Sequence, residues 1–135
     1  MPVQIIAVDF DGTLAQYEEG QPLGFIGEPV WRMVRWVQYQ LALGNQVEIF
    51  TARIYQNEQA IPQIQDWLED AGLPRLPVGN IKRPDFSLFV DDRARQCLKN
   101  EGIIVEYRSS SGSAPLQNSR SPRQSARTLL TPRRR

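Results

Sequence analysis

An α/β fold with a mainly parallel central sheet, a Rossmann-like three-layer sandwich, is what this 135-residue sequence predicts, from three observations. Short apolar runs at 3–8, 46–50 and 87–90 are separated by stretches whose apolar residues recur at helical spacing, and such alternation builds parallel sheets with crossover helices. The first run, Val3-Gln4-Ile5-Ile6-Ala7-Val8, is β-branched and nearly without polar residues, as in a strand covered on both faces. Each run also ends abruptly in reactive side chains: Asp9 and Asp11, then Thr51, then Asp91 and Asp92. In a parallel sheet those strand ends share one edge.

The elements follow in order. After the first strand, residues 15–26 read as a polar loop whose Tyr17, Glu18, Glu19 and Phe25 hang over the strand ends. Gly27-Glu28-Pro29 opens a helix over 29–43, with proline in its first turn and an acid at its positive end. Val30, Met33, Val34, Val37 and Leu41 give that helix an apolar stripe, and Trp31 and Trp36 read as covers for the sheet rather than as a ligand-stacking pair. Gly44 ends it. The second strand, 46–50, runs into Thr51-Ala52-Arg53. Asn57 caps a helix reaching Ala71, with Ile61, Ile64, Trp67 and Leu68 on one face and Pro62 tolerable only near its start. A short extended piece at 77–81 precedes the third clear strand, 87–90. A helix over 93–100 and a strand over 103–107 complete a domain of residues 1–108.

Beyond it, residues 109–135 are rich in Ser, Pro, Gln and Arg and lack aromatics, the composition of a disordered basic tail. That tail holds six arginines (120, 123, 127, 133, 134 and 135) and no acid, whereas residues 1–108 carry a net charge of −5. Its nine Ser/Thr residues and its arginines suit phosphorylation or nucleic-acid contact.

Composition excludes several chemistries. There is no histidine, and Cys97 is the sole cysteine, so a His-dependent triad and a His or Cys zinc site are absent. No disulfide forms within the chain, which suits a reducing, cytoplasmic location. Neither a signal peptide nor a membrane-spanning run is visible, and no membrane partner is expected. The chemistry falls to carboxylates, hydroxyls, Lys and Arg. Four carboxylates on one sheet edge repel one another, and a hard divalent cation with oxygen ligands, Mg²⁺, relieves that. The hydroxyl of Thr51 and the Lys82-Arg83 pair supply further contacts for a phosphate.

The order of these motifs resembles the haloacid dehalogenase (HAD) superfamily of phosphatases and phosphotransferases. Asp9-Phe10-Asp11-Gly12-Thr13 matches its Asp-x-Asp-x-Thr, Ile49-Phe50-Thr51 its strand ending in a hydroxyl, Lys82 or Arg83 its basic residue, and Phe89-Val90-Asp91-Asp92 its acidic pair. Receiver domains use similar residues, but with the acidic pair first in the chain and the lysine last. The resemblance implies that Asp9 is the nucleophile and Asp11 the acid and base. Asp9, the main-chain carbonyl of Asp11, and Asp91 or Asp92 would hold Mg²⁺. Thr51 and the basic residue would stabilise the phosphoryl group, with Gly12 and Thr13 binding phosphate from a tight turn that brings main-chain N–H groups toward it, and Arg53 either steadying substrate or pairing with an acid. Lys82 is favoured over Arg83 for the third motif, because a compact ammonium fits between carboxylate and phosphate better than a planar fork.

Neither the interval from Asp11 to Thr51 nor that from Thr51 to Lys82 has room for the cap domain that many relatives insert there. A capless site is open, and capless relatives take large substrates such as phosphoproteins or nucleic-acid ends, or close their sites by forming a homo-oligomer. Loop 15–26 is the local lid. The leading expectation is therefore a Mg²⁺-dependent phosphatase acting on a phosphate monoester, of a small molecule, a nucleic-acid end or a phosphoprotein, through an aspartyl-phosphate. The alternative is a catalytically retired fold that binds partners or nucleic acid through its basic tail. Dehalogenase chemistry fits less well, since it dispenses with Mg²⁺ ligands and with Asp11.

Overall fold

The first strand, β1 (Ile5–Asp9), is the centre of the sheet because its sequence is apolar on both faces; Ile6, Ala7 and Val8 are all buried. In the computed structural model, which describes residues 2–106, the chain continues through α1 (Trp31–Ala42), β2 (Gln46–Phe50), α2 (Arg53–Gln56), α3 (Ala60–Asp70), β3 (Val78–Gly79) and β4 (Leu88–Val90). The strands form one four-stranded sheet in the order β3-β2-β1-β4, and every pairing is parallel. The chain thus steps outward from β1 to β2 to β3, then returns to the other side of β1. The strand order reverses between β1 and β4, and such a reversal opens a crevice at the carboxyl ends of the strands.

Register decides which side chains share a face. Ile6 lies beside Val47 and Val8 beside Ile49, and these residues pack with Val34 and Val37 of α1 and Ile64 and Leu68 of α3 in one core. Each such side chain removed from water contributes about 1.5–3 kcal/mol. On the opposite face Ala7 lies between Glu48 and Phe89, and Asp9 beside Phe50. That face carries a thinner layer, in which Phe50, Phe86 and Phe89 meet edge to face at 5.5–6.3 Å between ring centres. Arg83 lies over the Phe86 ring and binds both oxygens of Glu48, at 2.9 and 2.8 Å. The α/β class, the parallel sheet and, among the described residues, the lack of a cap domain are as expected from the sequence. Between Asp11 and Thr51 the chain holds a loop, α1 and β2, and between Thr51 and Lys82 it holds α2, α3 and β3.

The helices are shorter than their apolar patterns suggested. The helix expected from Asn57 to Ala71 is α3, and a further four-residue helix, α2, precedes it; Asn57 is extended (φ −164°, ψ 117°) and separates the two. Its side-chain oxygen accepts the Gln59 N–H at 2.9 Å, so it still marks the start of the longer helix. Pro62 falls in the first turn of α3, where its missing N–H costs nothing. Trp36 packs against the core as expected, whereas Trp31 stays about half exposed at 52%.

The chain divides into two compact units after Asp92. In the second unit the helix expected over 93–100 does not form. Residues 96–105 instead fold back on themselves, with Cys97 bridging antiparallel to Ile104, Leu98 N–H donating to Ile103 and Val105 N–H to Gln96. Eight residues are marginal for a helix without packing. Asn100 (φ 64°) and Gly102 (φ 69°) adopt left-handed conformations that turn the chain back. The strand expected over 103–107 is reduced to that bridge within the described residues. The tail expected over 109–135, and the domain boundary at 108/109, lie outside the described residues.

Candidate active site

The chain leaves β1 through a tight turn. Phe10 drives its fully buried ring into the helical layer, edge-on to Trp67 at 4.9 Å, and Trp67 donates its indole N–H to the Gly27 carbonyl at 2.9 Å. The Phe10 carbonyl accepts the N–H groups of Thr13, Leu14 and Ala15, and the Gly12 N–H goes to Ala15. The N–H groups of Gly12 and Thr13 are thus engaged within the turn, and these residues shape the site rather than aim N–H donors out of it. Gly12 has φ +86°, and a Cβ there would lie 2.6 Å from the Asp92 carboxylate. Only glycine satisfies both demands.

That approach brings β1 and β4 together. The buried Thr13 hydroxyl accepts the Asp92 N–H at 3.1 Å and lies 3.2 Å from the Asp9 carboxylate and 3.1 Å from that of Asp92. With one proton to give, it bonds one carboxylate at a time and brackets the two. Carboxylate oxygens of Asp9, Asp91 and Asp92 all lie within 4.8 Å of one another, across the crevice where strand order reverses. Burial pushes the Asp9 carboxyl up to about 7, helped by a hydrogen bond with Asp92 and by repulsion from Asp91 and Asp92, with the Thr13 hydroxyl pulling the other way. Three hard oxygen donors from adjacent strand ends, crowded to this degree, can coordinate a divalent metal. A catalytic role fits the same cluster.

The raised Asp9 value gives the metal-free protein an unusual pH dependence. Between the ordinary carboxylate value of 3.8 and about 7, the folded chain holds a proton that the unfolded chain releases. Asp9 therefore stabilises fully below that window, and its contribution is lost as pH rises through it. In EDTA, the part of the stability due to Asp9 is expected to decrease between about pH 4 and pH 7, and Asp9→Asn is expected to remove that part. Melting curves of both proteins check this; identical slopes would contradict it.

The other residues singled out in the sequence fall into two groups. Thr51 is buried at the end of β2, where its hydroxyl accepts the Arg53 N–H at 3.1 Å. The Asp11 carboxylate lies outside the three-carboxylate cluster and takes both prongs of Arg53, at 2.7 and 2.8 Å. Of the two open readings for Arg53, pairing with an acid is the one seen. Arg83 is held by Glu48 and by Asp85, at 3.0 Å, while the Lys82 ammonium lies 5.3 Å from the centre of the Phe89 ring. Sequence reasoning passed over Glu48. Its signal is a lone carboxylate between Val47 and Ile49, on the face that those two leave.

No family model and no curated protein matches the chain. Among solved structures, a conserved protein from Bacteroides thetaiotaomicron superposes with a TM-score of 0.54 at 22% identity, over 69% of this chain and 78% of that one. That likeness carries the fold. The small Rossmann-like architecture and the acidic cluster are together consistent with a HAD-like superfamily.

Proposed function

We propose that the chain is a Mg²⁺-dependent phosphohydrolase of the HAD type, which cleaves a phosphate monoester through an aspartyl-phosphate on Asp9. The observation that carries this reading is the meeting of Asp9, Asp91 and Asp92 at the reversal of strand order, with Asp11 two residues beyond the first of them. The donor set suits a hard cation. Asp9, the Asp11 main-chain carbonyl, and Asp91 or Asp92 would hold Mg²⁺, which supplies charge neutralisation and orientation of the phosphoryl group.

The chain's own groups do the rest. An Asp9 carboxylate oxygen attacks phosphorus as the bond to the leaving oxygen breaks, and Asp11 gives that oxygen a proton. Water then attacks the phosphorus of the acyl phosphate, Asp11 takes its proton, and the Asp9 carboxylate is regenerated as inorganic phosphate departs. The Thr51 hydroxyl hydrogen-bonds the phosphoryl oxygens. Lys82 balances the charge near Asp9. The engagement of Arg83 by Glu48 and Asp85, and the position of the Lys82 ammonium over a ring on the Asp9 face, favour Lys82. Gly12 and Thr13 hold the turn that brings Asp92 to Asp9, and Arg53 forks onto Asp11 in its ionised, proton-accepting form, so the acid step needs one of those two bonds released. An uncapped site suits a bulky substrate such as a nucleic-acid end or a phosphoprotein.

Hydrolysis of p-nitrophenyl phosphate tests the reading. Turnover is expected with Mg²⁺, is expected to vanish in EDTA, and should return on adding Mg²⁺ back. Absence of turnover, combined with no rise in melting temperature from Mg²⁺ and beryllofluoride, overturns it.

A further inference from the structure

Loop 15–26 is tied down at its two ends. Gln16 N–H donates to Glu28, Val30 N–H donates to Leu14, and Ala15 pairs with Pro29. Between these anchors the chain bonds to itself: Glu18 N–H to the Gln21 side chain, Gln21 N–H to Glu18, Phe25 N–H to Pro22, and the Gln21 amide to Phe25. Tyr17, Leu23 and Phe25 stand exposed on it, at 50, 80 and 52%. Arg53 reaches into this excursion from α2, donating from Nη2 to the Phe25 carbonyl at 2.6 Å. The same guanidinium forks onto both oxygens of Asp11 and lies 5.8 Å from the centre of the Phe10 ring. Its side chain is 14% exposed and that of Asp11 23%.

A pair formed only to neutralise Asp11 would be complete with the two carboxylate bonds. The third bond ties the loop to the carboxylate through one rigid group, and five N–H donors in a fixed fork are what make that reach possible. We propose that Arg53 is a positioning residue that latches loop 17–25 beside Asp11, so that one guanidinium sets both the Asp11 carboxylate and the loop that a bulky leaving group meets. The kinetic part of this inference rests on the phosphohydrolase reading; the latch itself does not.

The loop's exposed Tyr17, Leu23 and Phe25 are chymotrypsin sites, and Tyr39 within α1 is an internal reference. The full-length wild-type protein, Arg53→Ala and Arg53→Lys would be digested side by side, with cleavage positions mapped by mass. In both variants, cleavage at the three loop sites is expected to be on the order of tenfold faster, the scale of one lost hydrogen bond to a charged group. Cleavage at Tyr39 should keep its wild-type rate. Lysine keeps the positive charge for Asp11, but its chain is one atom shorter than the path to Nη2, the nitrogen that bonds both Asp11 and Phe25, so Arg53→Lys separates the latch from simple charge pairing. Loop cleavage at the wild-type rate in Arg53→Lys overturns the latch. So does equal acceleration at Tyr39, or loss of the fold, since either marks a merely structural pair.

The kinetic readout is the KM of an oligonucleotide 3′-phosphate against that of p-nitrophenyl phosphate. In Arg53→Lys the first is expected to rise several-fold more than the second, and an equal change in both overturns the role in substrate selection. If no ester is hydrolysed by the wild-type protein, the phosphohydrolase reading fails while the cleavage pattern still decides the latch.

Discussion

Asp9→Asn is expected to abolish Mg²⁺-dependent phosphatase turnover, lowering kcat/KM on the order of 10⁴-fold or more, as loss of a covalent nucleophile does. The substitution keeps the shape of the side chain and removes its charge. Two consequences follow that a merely structural aspartate would not combine. The nucleophile is gone, so no acyl phosphate forms. One of the three crowded carboxylates is also gone, so the repulsion that helps to push Asp9 up to about 7 disappears. In EDTA near pH 8 the variant should therefore melt no lower than the wild type, while its stabilisation by Mg²⁺ shrinks. An inactive variant with wild-type or higher metal-free stability identifies Asp9 as a group held in place against its own electrostatic cost. Retention of more than about a tenth of the activity would remove Asp9 from the mechanism. Asp11→Asn separates the roles further, because Asp11 stands outside the carboxylate cluster and should leave the Mg²⁺ effect on stability largely intact.

Much of this site was legible in the chain because strand ends in a parallel sheet carry their own address. An apolar run that stops at Asp9, and another that stops at Asp91, meet at one edge once both strands are parallel, and β1 and β4 prove to be neighbours. The Asp-x-Asp pair also contained its own geometry. Alternation sends Phe10 into the helical layer while Asp9 takes the other face. What the sequence did not disclose depends on contacts far apart along it. Thr13 was read as part of a phosphate-facing turn, yet its hydroxyl brackets Asp9 and Asp92, and nothing local to residue 13 names residue 92. The preference for Lys82 over Arg83 rested on the shape of an ammonium alone, and nothing local to residue 83 names Glu48, which holds Arg83 from the middle of β2. The missing helix after Asp92 is a different case. Its eight residues offered propensity without a packing face, and two left-handed positions at Asn100 and Gly102 turned the chain instead.

Phe10→Ala should be the most damaging substitution for stability around the site, at about 3–5 kcal/mol. The ring is fully buried, meets Trp67 edge-on, and packs with the core shared by β1, β2, α1 and α3. Alanine leaves a cavity that rigid neighbours on the sheet cannot fill. It also removes the aromatic contact, which adds about 0.5–1.5 kcal/mol beyond area. Against a total of about 5–15 kcal/mol for a domain of this kind, such a loss brings the chain close to unfolding at 37 °C. The effect should reach function by a specific route. The Phe10 carbonyl accepts three N–H groups of the turn that positions Gly12 and Thr13, so a loosened residue 10 slackens the bracket between Asp9 and Asp92. Denaturant midpoints measure the first effect, and the Mg²⁺ dependence of turnover at low temperature, where the variant stays folded, measures the second. Phe10→Leu, which keeps most of the buried volume, is expected to recover the greater part of both. A Phe10→Ala protein as stable as the wild type would mean that the turn, rather than the ring, anchors the end of β1.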